Sequence, residues 1–262
     1  MAVLVGTSGF SYKDWVGPVY PEGLPQQEWL SFYAREFKTC ELNFSYYRIP
    51  SARTLASMAD KVGEGFQFAI KAYKGITHER EDPGAQIVQF TQALAPLIDA
   101  DKFACVLAQF PHSFHASPAN RDYLKRVREG FGDLSVVVEF RSRDWITDQT
   151  FDELRALDLG FCCVDQPQFK SLVPPVAVAT GPVAYVRFHG RNYAKWWKHD
   201  EAWERYDYSY SGEELREWVD KIHRLDEESP LTLVYMNNHW KGQAVGTARQ
   251  LWALMETETS EV

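Results

Sequence analysis

Short apolar runs recur along the chain, separated by longer stretches in which apolar positions return every three or four residues. The runs are Val3–Thr7, Thr39–Asn43, Phe66–Lys71, Phe103–Gln109, Val136–Arg141, Phe161–Asp165, Val183–His189 and Leu231–Asn237. They are rich in Val, Phe, Cys, Leu and Tyr, the composition of strands buried on both faces. The stretches between them carry the helical period: Gln26–Glu36, Ala52–Lys61, Ala85–Asp99, Pro118–Gly130, Asp148–Leu157, Gly212–Glu227 and Gln243–Glu256. Ser51 and Ser117 stand where helix caps belong, and Ser211 followed by Glu214 has capping-box spacing. Gly130 and Gly160 fall where helices should stop. Strands and helices in strict alternation predict an α/β chain forming a single (β/α)8 TIM-type barrel over residues 1–262. An open doubly wound sheet is the rival. The first turn holds only Gly6 and Gly9, without the spaced triple glycine of a dinucleotide fold, which argues against it. One unit is incomplete: residues 166–182 contain Pro174-Pro175 and predict a loop or short turn in place of a sixth helix.

Within a strand, residues i, i+2 and i+4 share a face. Stepping back by two from the last polar residue of each run groups Thr7 with Val5 and Val3, Asn43 with Glu41 and Thr39, Lys71 with Ala69, and Gln109 with Leu107. The same step groups Arg141 with Glu139, Asp165 with Cys163, His189 with Arg187, and Asn237 with Tyr235. The opposite parity (Cys40 and Leu42, Phe68 and Ile70, Val186 and Phe188) is apolar and suits a face packed on helices. One assignment therefore gathers the polar set inside the barrel at its C-terminal mouth, where such barrels build their sites. For any single member, a polar strand end can simply mark where the strand meets solvent. Glu41, Glu139 and Arg187, however, lie a full pleat inside their strand ends, and buried charges need partners.

Composition narrows the function classes. Of 262 residues, 45% are hydrophobic and 15% aromatic, enough to bury a sizeable core. The longest apolar runs, such as Phe103–Ala108, are strand-sized, so no membrane span is expected. The start lacks the basic region and long apolar stretch of a secretion signal, which points to the cytoplasm. With 28 basic and 36 acidic residues, the net charge of −8 disfavours a generally basic nucleic-acid surface. Cys40, Cys105, Cys162 and Cys163 form no CxxC pair and read as reduced core residues.

The chemistry-bearing residues suggest roles. Glu41 and Glu139 are candidates for general acid and base, with His189 as a further proton carrier. Lys71, Arg141 and Arg187 suit an anionic or sugar-like ligand, a phosphate or a sugar acid; alternatively they only neutralise Glu41, Glu139 and Asp165. Thr7, Ser8, Asn43, Tyr47, Gln109, Asp165, Asn237 and Asn238 complete the expected ligand contacts. A metal site of Glu41, Glu139, Asp165 and His189 is conceivable. No HxH, DxD or HExxH pair appears and cations already supply positive charge, so no metal or other cofactor is expected. Ser8 with His189 or His78 lacks a nucleophile elbow, and Ser8-Gly9 more simply offers a hydroxyl and N–H groups to a ligand. The segment Arg191–Tyr210 is densely aromatic and follows the seventh strand. With Trp15, Tyr20, Tyr47 and Trp145 it predicts an aromatic rim for a sugar or base, or else a static cover over the barrel.

Several of these positions sit in recognisable motifs. Thr7-Ser8-Gly9-Phe10-Ser11-Tyr12 with Trp15, Gly17 and Tyr20-Pro21 resembles the opening of the YecE-like family, a domain of unknown function. Glu41-Leu42-Asn43 with Tyr46-Tyr47 and Pro50, Lys71 with Ile76-Thr77-His78, and Gln109-Phe110-Pro111 extend the likeness. Val138-Glu139-Phe140-Arg141 with Trp145, Arg187-Phe188-His189-Gly190 and Tyr235-Met236-Asn237-Asn238 complete it across essentially the whole chain. Phe10 stands where Trp is common, Phe44-Ser45 where a Ser-Thr pair is expected, and Gly246-Thr247 where an Asn-Ala pair is usual. The resemblance implies a TIM-type barrel and brings no established reaction. Three function classes follow. The first is an enzyme (hydrolase, lyase or isomerase) acting on a small anionic or sugar-phosphate substrate through its carboxylates. The second is a nucleic-acid-binding or repair barrel, and the third a non-catalytic ligand-binding protein.

Overall fold

The computed structural model describes residues 2–259, with the side chains of Ala2, Glu258 and Thr259 excepted. Eight parallel strands close into a barrel in sequence order: β1 (Ala2–Ser8), β2 (Thr39–Leu42), β3 (Gln67–Lys71), β4 (Phe103–Gln109), β5 (Val136–Glu139), β6 (Leu159–Asp165), β7 (Val183–Phe188) and β8 (Leu231–Met236). Closure comes from β8 pairing with β1, from Ala2↔Leu231 to Thr7↔Met236. The surrounding helices are α1 (Trp29–Tyr33), α2 (Ala52–Ala59), α3 (Pro83–Asp99), α4 (Pro118–Phe131), α5 (Asp148–Ala156), α6 (Gly212–Glu228) and α7 (Gln243–Thr259).

The cap chemistry read from the sequence starts these helices. Ser51 accepts from the Thr54 N–H and Ser117 from the Asn120 N–H, while Ser211 and Glu214 form a reciprocal capping box at the head of α6. The predicted first helix is shorter than its period implied, a 3-10 turn over Gln26–Glu28 leading into α1. Residues 166–182 contain no helix, as the proline pair dictates.

Both glycine stop signals are displaced. Gly130 lies inside α4, where a Cβ would come within 2.9 Å of Ile87 Cδ1, so its smallness serves close packing on α3. The stop is Gly132, whose φ of +58° ends the helix. Gly160 belongs to β6, where a Cβ would stand 2.8 Å from the Val183 carbonyl oxygen of the neighbouring strand.

Apolar residues of the strands' outer faces meet the helices in one continuous core. Phe161 packs on Phe151 of α5 and Phe188 on Trp218 of α6. The four cysteines are buried and free, as expected of small hydrophobes in the core. Among the described residues no helix is long and apolar enough to cross a membrane.

Candidate functional site

Paired residues on neighbouring parallel strands point the same way, so the register decides which side chains enter the barrel. Thr39 and Glu41, Ala69 and Lys71, Gln109 and Glu139, Tyr185 and Arg187, and Tyr235 share the interior face, in agreement with the parity argument. On β1 and β6 that argument fails. Thr7 pairs with outward Cys40 and Met236, whereas Gly6 and Ser8 pair with inward Tyr235 and Glu41. The Thr7 hydroxyl accordingly meets the Tyr33 hydroxyl on α1, at 3.0 Å, and does not reach the mouth. On β6, Asp165 pairs with outward Phe188, and the interior residues are Cys162 and Val164. Asp165 is wholly buried between barrel and helix. It accepts from Arg191, from the Tyr210 hydroxyl at 2.7 Å and from Trp218 Nε1 at 2.8 Å.

Glu41, Glu139, Arg187, Arg141 and His189 come together as predicted. Arg187 is 2% exposed and spans both carboxylates, with Nη1 2.5 Å from Glu139 and Nη2 2.7 Å from Glu41. Arg141 takes the other Glu139 oxygen at 2.8 Å, and the Tyr185 hydroxyl donates to Glu41 at 2.7 Å. Burial opposes ionisation of Glu139, but Arg141, Arg187 and His189 outweigh it and hold the carboxyl well below the usual carboxylate range. A group held ionised is a poor proton donor, which weighs against an acid role for Glu139.

His189 is held as the neutral imidazole. Burial, with Arg141 beside it, lowers its pKa to about 3 despite the opposing pull of Glu139. Nδ1 lies 3.0 Å from the Asn237 amide, while Nε2 lies 3.3 Å from Glu139 without hydrogen-bond geometry and is left buried and unpartnered. Neither imidazole engages Ser8, whose buried hydroxyl has no hydrogen-bond partner: Nδ1 of His189 pairs with the Asn237 amide, and Nδ1 of His78 with the Thr77 hydroxyl. Ser8 is therefore coupled to neither histidine.

Above this network opens a cleft of about 920 Å³. Its floor is Lys71, Arg141, Arg187, Gln109, Asn43 and Asn237, and its walls are Phe10, Tyr12, Phe44, Tyr46, Tyr206 and His239. Arg48 and Tyr47, the latter 73% exposed, stand at the edge. A side cleft of about 240 Å³ shares Gln109, Arg141 and Tyr206 with the main one and adds His78, Trp197 and Arg205. Among the described residues, no acidic side chain lines either cleft. Burial and then Arg187 lower the Lys71 pKa to about 8.

Not every expected contact reaches the cleft. Ser8 is buried beneath it, and Asn238 ties the Tyr208 carbonyl to Thr247 of α7. Trp15, Tyr20 and Trp145 are wholly buried, each donating to a backbone carbonyl, so they are core and not rim. The aromatic segment after β7 divides between buried and exposed rings. Trp196 and Tyr210 are buried as cover, while Tyr193 and Trp197 are about half exposed beside Phe169. Arg205 and Tyr206 were foreshadowed only as part of the aromatic segment Arg191–Tyr210, and Tyr12 only by the opening motif; Arg48 and His239 carried no signal, because they sit in loops without a register.

A metal does not suit these donors. Glu41 and Glu139 are engaged by Arg187 and Arg141, Asp165 faces the opposite side of the sheet, and the described residues hold no cluster of three or more metal-ligating side chains.

The whole assembly has relatives. Residues 4–262 match the family described as "Protein of unknown function DUF72". The UPF0759 protein YunF of Bacillus subtilis (strain 168) is 32% identical over 274 residues, covering 98% of this chain and 96% of YunF. A DUF72 family protein of Thermotoga maritima MSB8 superposes with a TM-score of 0.90 at 39% identity, over 98% of this chain and 100% of that one. Another, from Enterococcus faecalis V583, gives 0.87 at 27% identity, over 97% and 96%. The strand-end motifs that resemble the YecE-like family lead to this same group of proteins, matched here under the DUF72 and UPF0759 names: the chain belongs to the DUF72 family.

Proposed function

We propose that the mouth of this barrel binds a small organic anion of sugar-phosphate size, with its charge on the floor and its body against the aromatic wall. The observation that carries the reading is the sorting of charge. Three cations (Lys71, Arg141, Arg187) meet two carboxylates (Glu41, Glu139), and both carboxylates lie underneath, so the floor is left with one uncompensated positive charge. His189 adds none, being neutral at ordinary pH. Asn43 Oδ1 and Arg187 Nε are buried without a hydrogen-bond partner, polar groups whose desolvation a ligand would offset. The cleft volume lies within the range of small-molecule sites, and Arg offers the planar fork that recognises phosphate or carboxylate.

The carboxylates support this reading as positioning groups: Glu41 and Glu139 fix Arg187 from two sides, and Glu139 also fixes Arg141. The test is titration calorimetry with glycerol 3-phosphate and with glycerol at low salt. The phosphate should bind and glycerol should not. Arg141→Met should weaken phosphate binding by about tenfold to a hundredfold, the loss of one charge-assisted contact. Equal affinity for the two compounds would refute the reading. Binding of a short single-stranded oligonucleotide in place of the small phosphate would move the function to nucleic acid.

A further inference from the structure

Lys71 is the odd member of the floor. Glu139 is taken by Arg141 and Arg187, and Glu41 by Arg187 and Tyr185. Among the described residues no carboxylate therefore lies within 4.0 Å of the Lys71 amine, and no hydrogen bond holds it. Its Nζ sits 4.6 Å from the centre of the Tyr46 ring and opens on the main cleft. The charged and titratable groups around it come from every side: Glu41 of β2, Glu139 of β5, Arg141 just beyond it and Arg187 of β7. His78, on the π-helical turn after β3, and Tyr46 complete the surroundings. A lysine meant only to carry charge is badly placed here, because two guanidinium groups already do so and a third cation beside them is costly. An arginine, which cannot shed its proton, would do that task better. A lysine in a partly desolvated pocket beside other cations is, in contrast, the arrangement that frees an amine for bond formation.

We propose that Lys71 is a nucleophile that forms an imine with the carbonyl of a small anionic aldehyde or ketone held on Arg141 and Arg187. This deepens the anion-binding reading and rests on it. The neutral amine's lone pair forms the C–N bond while the carbonyl π pair moves to oxygen, which takes a proton. The nitrogen loses a proton, and the hydroxyl leaves with another as water, closing C=N. One amine and one carbonyl give one imine and one water, with no net redox change. With a pKa lowered to about 8 by burial and by Arg187, the amine is partly neutral at working pH.

The experiment incubates the whole protein with glycolaldehyde phosphate and sodium cyanoborohydride, which reduces an imine to a stable amine, and maps the adduct by peptide mass spectrometry. Calorimetry with glycerol 3-phosphate, which has no carbonyl, runs in parallel. Lys71 should be labelled first, with a rate that rises about tenfold from pH 7 to pH 9 and then levels, as a pKa of about 8 requires. Exposed lysines, with ordinary values near 10.4, should rise about a hundredfold over the same interval without levelling. Inorganic phosphate should slow the Lys71 adduct, and Lys71→Arg, checked for folding by its melting temperature, should abolish it. If glycerol 3-phosphate binds but Lys71 is labelled no faster than the exposed lysines, the imine is refuted and the anion site stands. If neither compound engages the cleft, both fall. The wild-type map decides even if the variant does not fold.

Discussion

Arg187 shows how one side chain organises the centre of the barrel. A guanidinium at 2% exposure is tolerable because Glu41 and Glu139 each give it an oxygen, and burial, which opposes its charge, is outweighed by them. Removing one partner leaves the other groups charged and under-compensated. Glu139→Gln should therefore lower unfolding free energy by about 3–5 kcal/mol in urea denaturation. A loss below about 1 kcal/mol would mean that the network is far better solvated than its burial implies. His189 predicts a pH dependence with a definite sign. Its folded pKa of about 3 lies below the unfolded value of about 6.5, so between those values the unfolded chain binds a proton that the native protein refuses. The stability associated with it is complete above pH ~6.5 and is lost as pH falls toward the folded value. Urea midpoints of wild type measured from pH 7 to pH 4 should fall more steeply than those of His189→Gln, by the equivalent of one bound proton. Parallel slopes would show that His189 is protonated in the native state.

At the level of elements, strand ends and loops contribute differently. β2, β3 and β7 set inward polar residues against outward apolar ones, and β5 and β8 do so only at their ends, with Glu139 and Tyr235 inward, so each carries a mark of its orientation. β1 and β6 do not. Val3-Leu4-Val5-Gly6 and Phe161-Cys162-Cys163-Val164 are apolar on both faces, and a strand without alternation does not declare which face is inside. Register supplies that answer through β8 and β7, as Gly6↔Tyr235 and Val164↔Arg187. Gly160 has an equivalent logic: three strands converge tightly on it, leaving no room for a methyl group beside the Val183 carbonyl. Gly160→Ala should cost about 1–3 kcal/mol by overpacking, read as a lowered melting temperature with the ligand affinity of the folded fraction unchanged. An unaltered melting temperature would show that β6 and β7 can separate freely at this point.

Across the whole molecule, two ionic networks are separated by the barrel wall. Glu41, Glu139, Arg141 and Arg187 form one inside the barrel, with both carboxylates beneath the cleft, while Asp165, Arg191 and Glu217 join β6, the segment after β7, and α6 on the outside. The outer network ties β6 to α6 where the sixth helix is missing, since Tyr210 and Trp218 also converge on Asp165. Asp165→Asn should destabilise the fold by about 3 kcal/mol, the cost of disrupting a buried ion pair. The affinity of the mouth for glycerol 3-phosphate should change less than threefold, because the substitution leaves the floor cations paired as before. A large loss of affinity with little loss of stability would place Asp165 functionally in the cleft.

The alternation of strand and helix periods, the caps, the missing helix and the inward charges of β2, β3, β5 and β7 were all decided locally, by residue spacing and by the cost of burying an unpaired charge. They are legible in the chain, and they foretold the barrel and most of its floor. The facing of Thr7 and Asp165, the neutrality of His189, the engagement of both carboxylates and the freedom of the Lys71 amine were decided by contacts between residues far apart in the chain, such as Arg187 with Glu41, 146 positions away. Pairing of that kind is set by strand register and closure, which fix who neutralises whom only once the cylinder is complete.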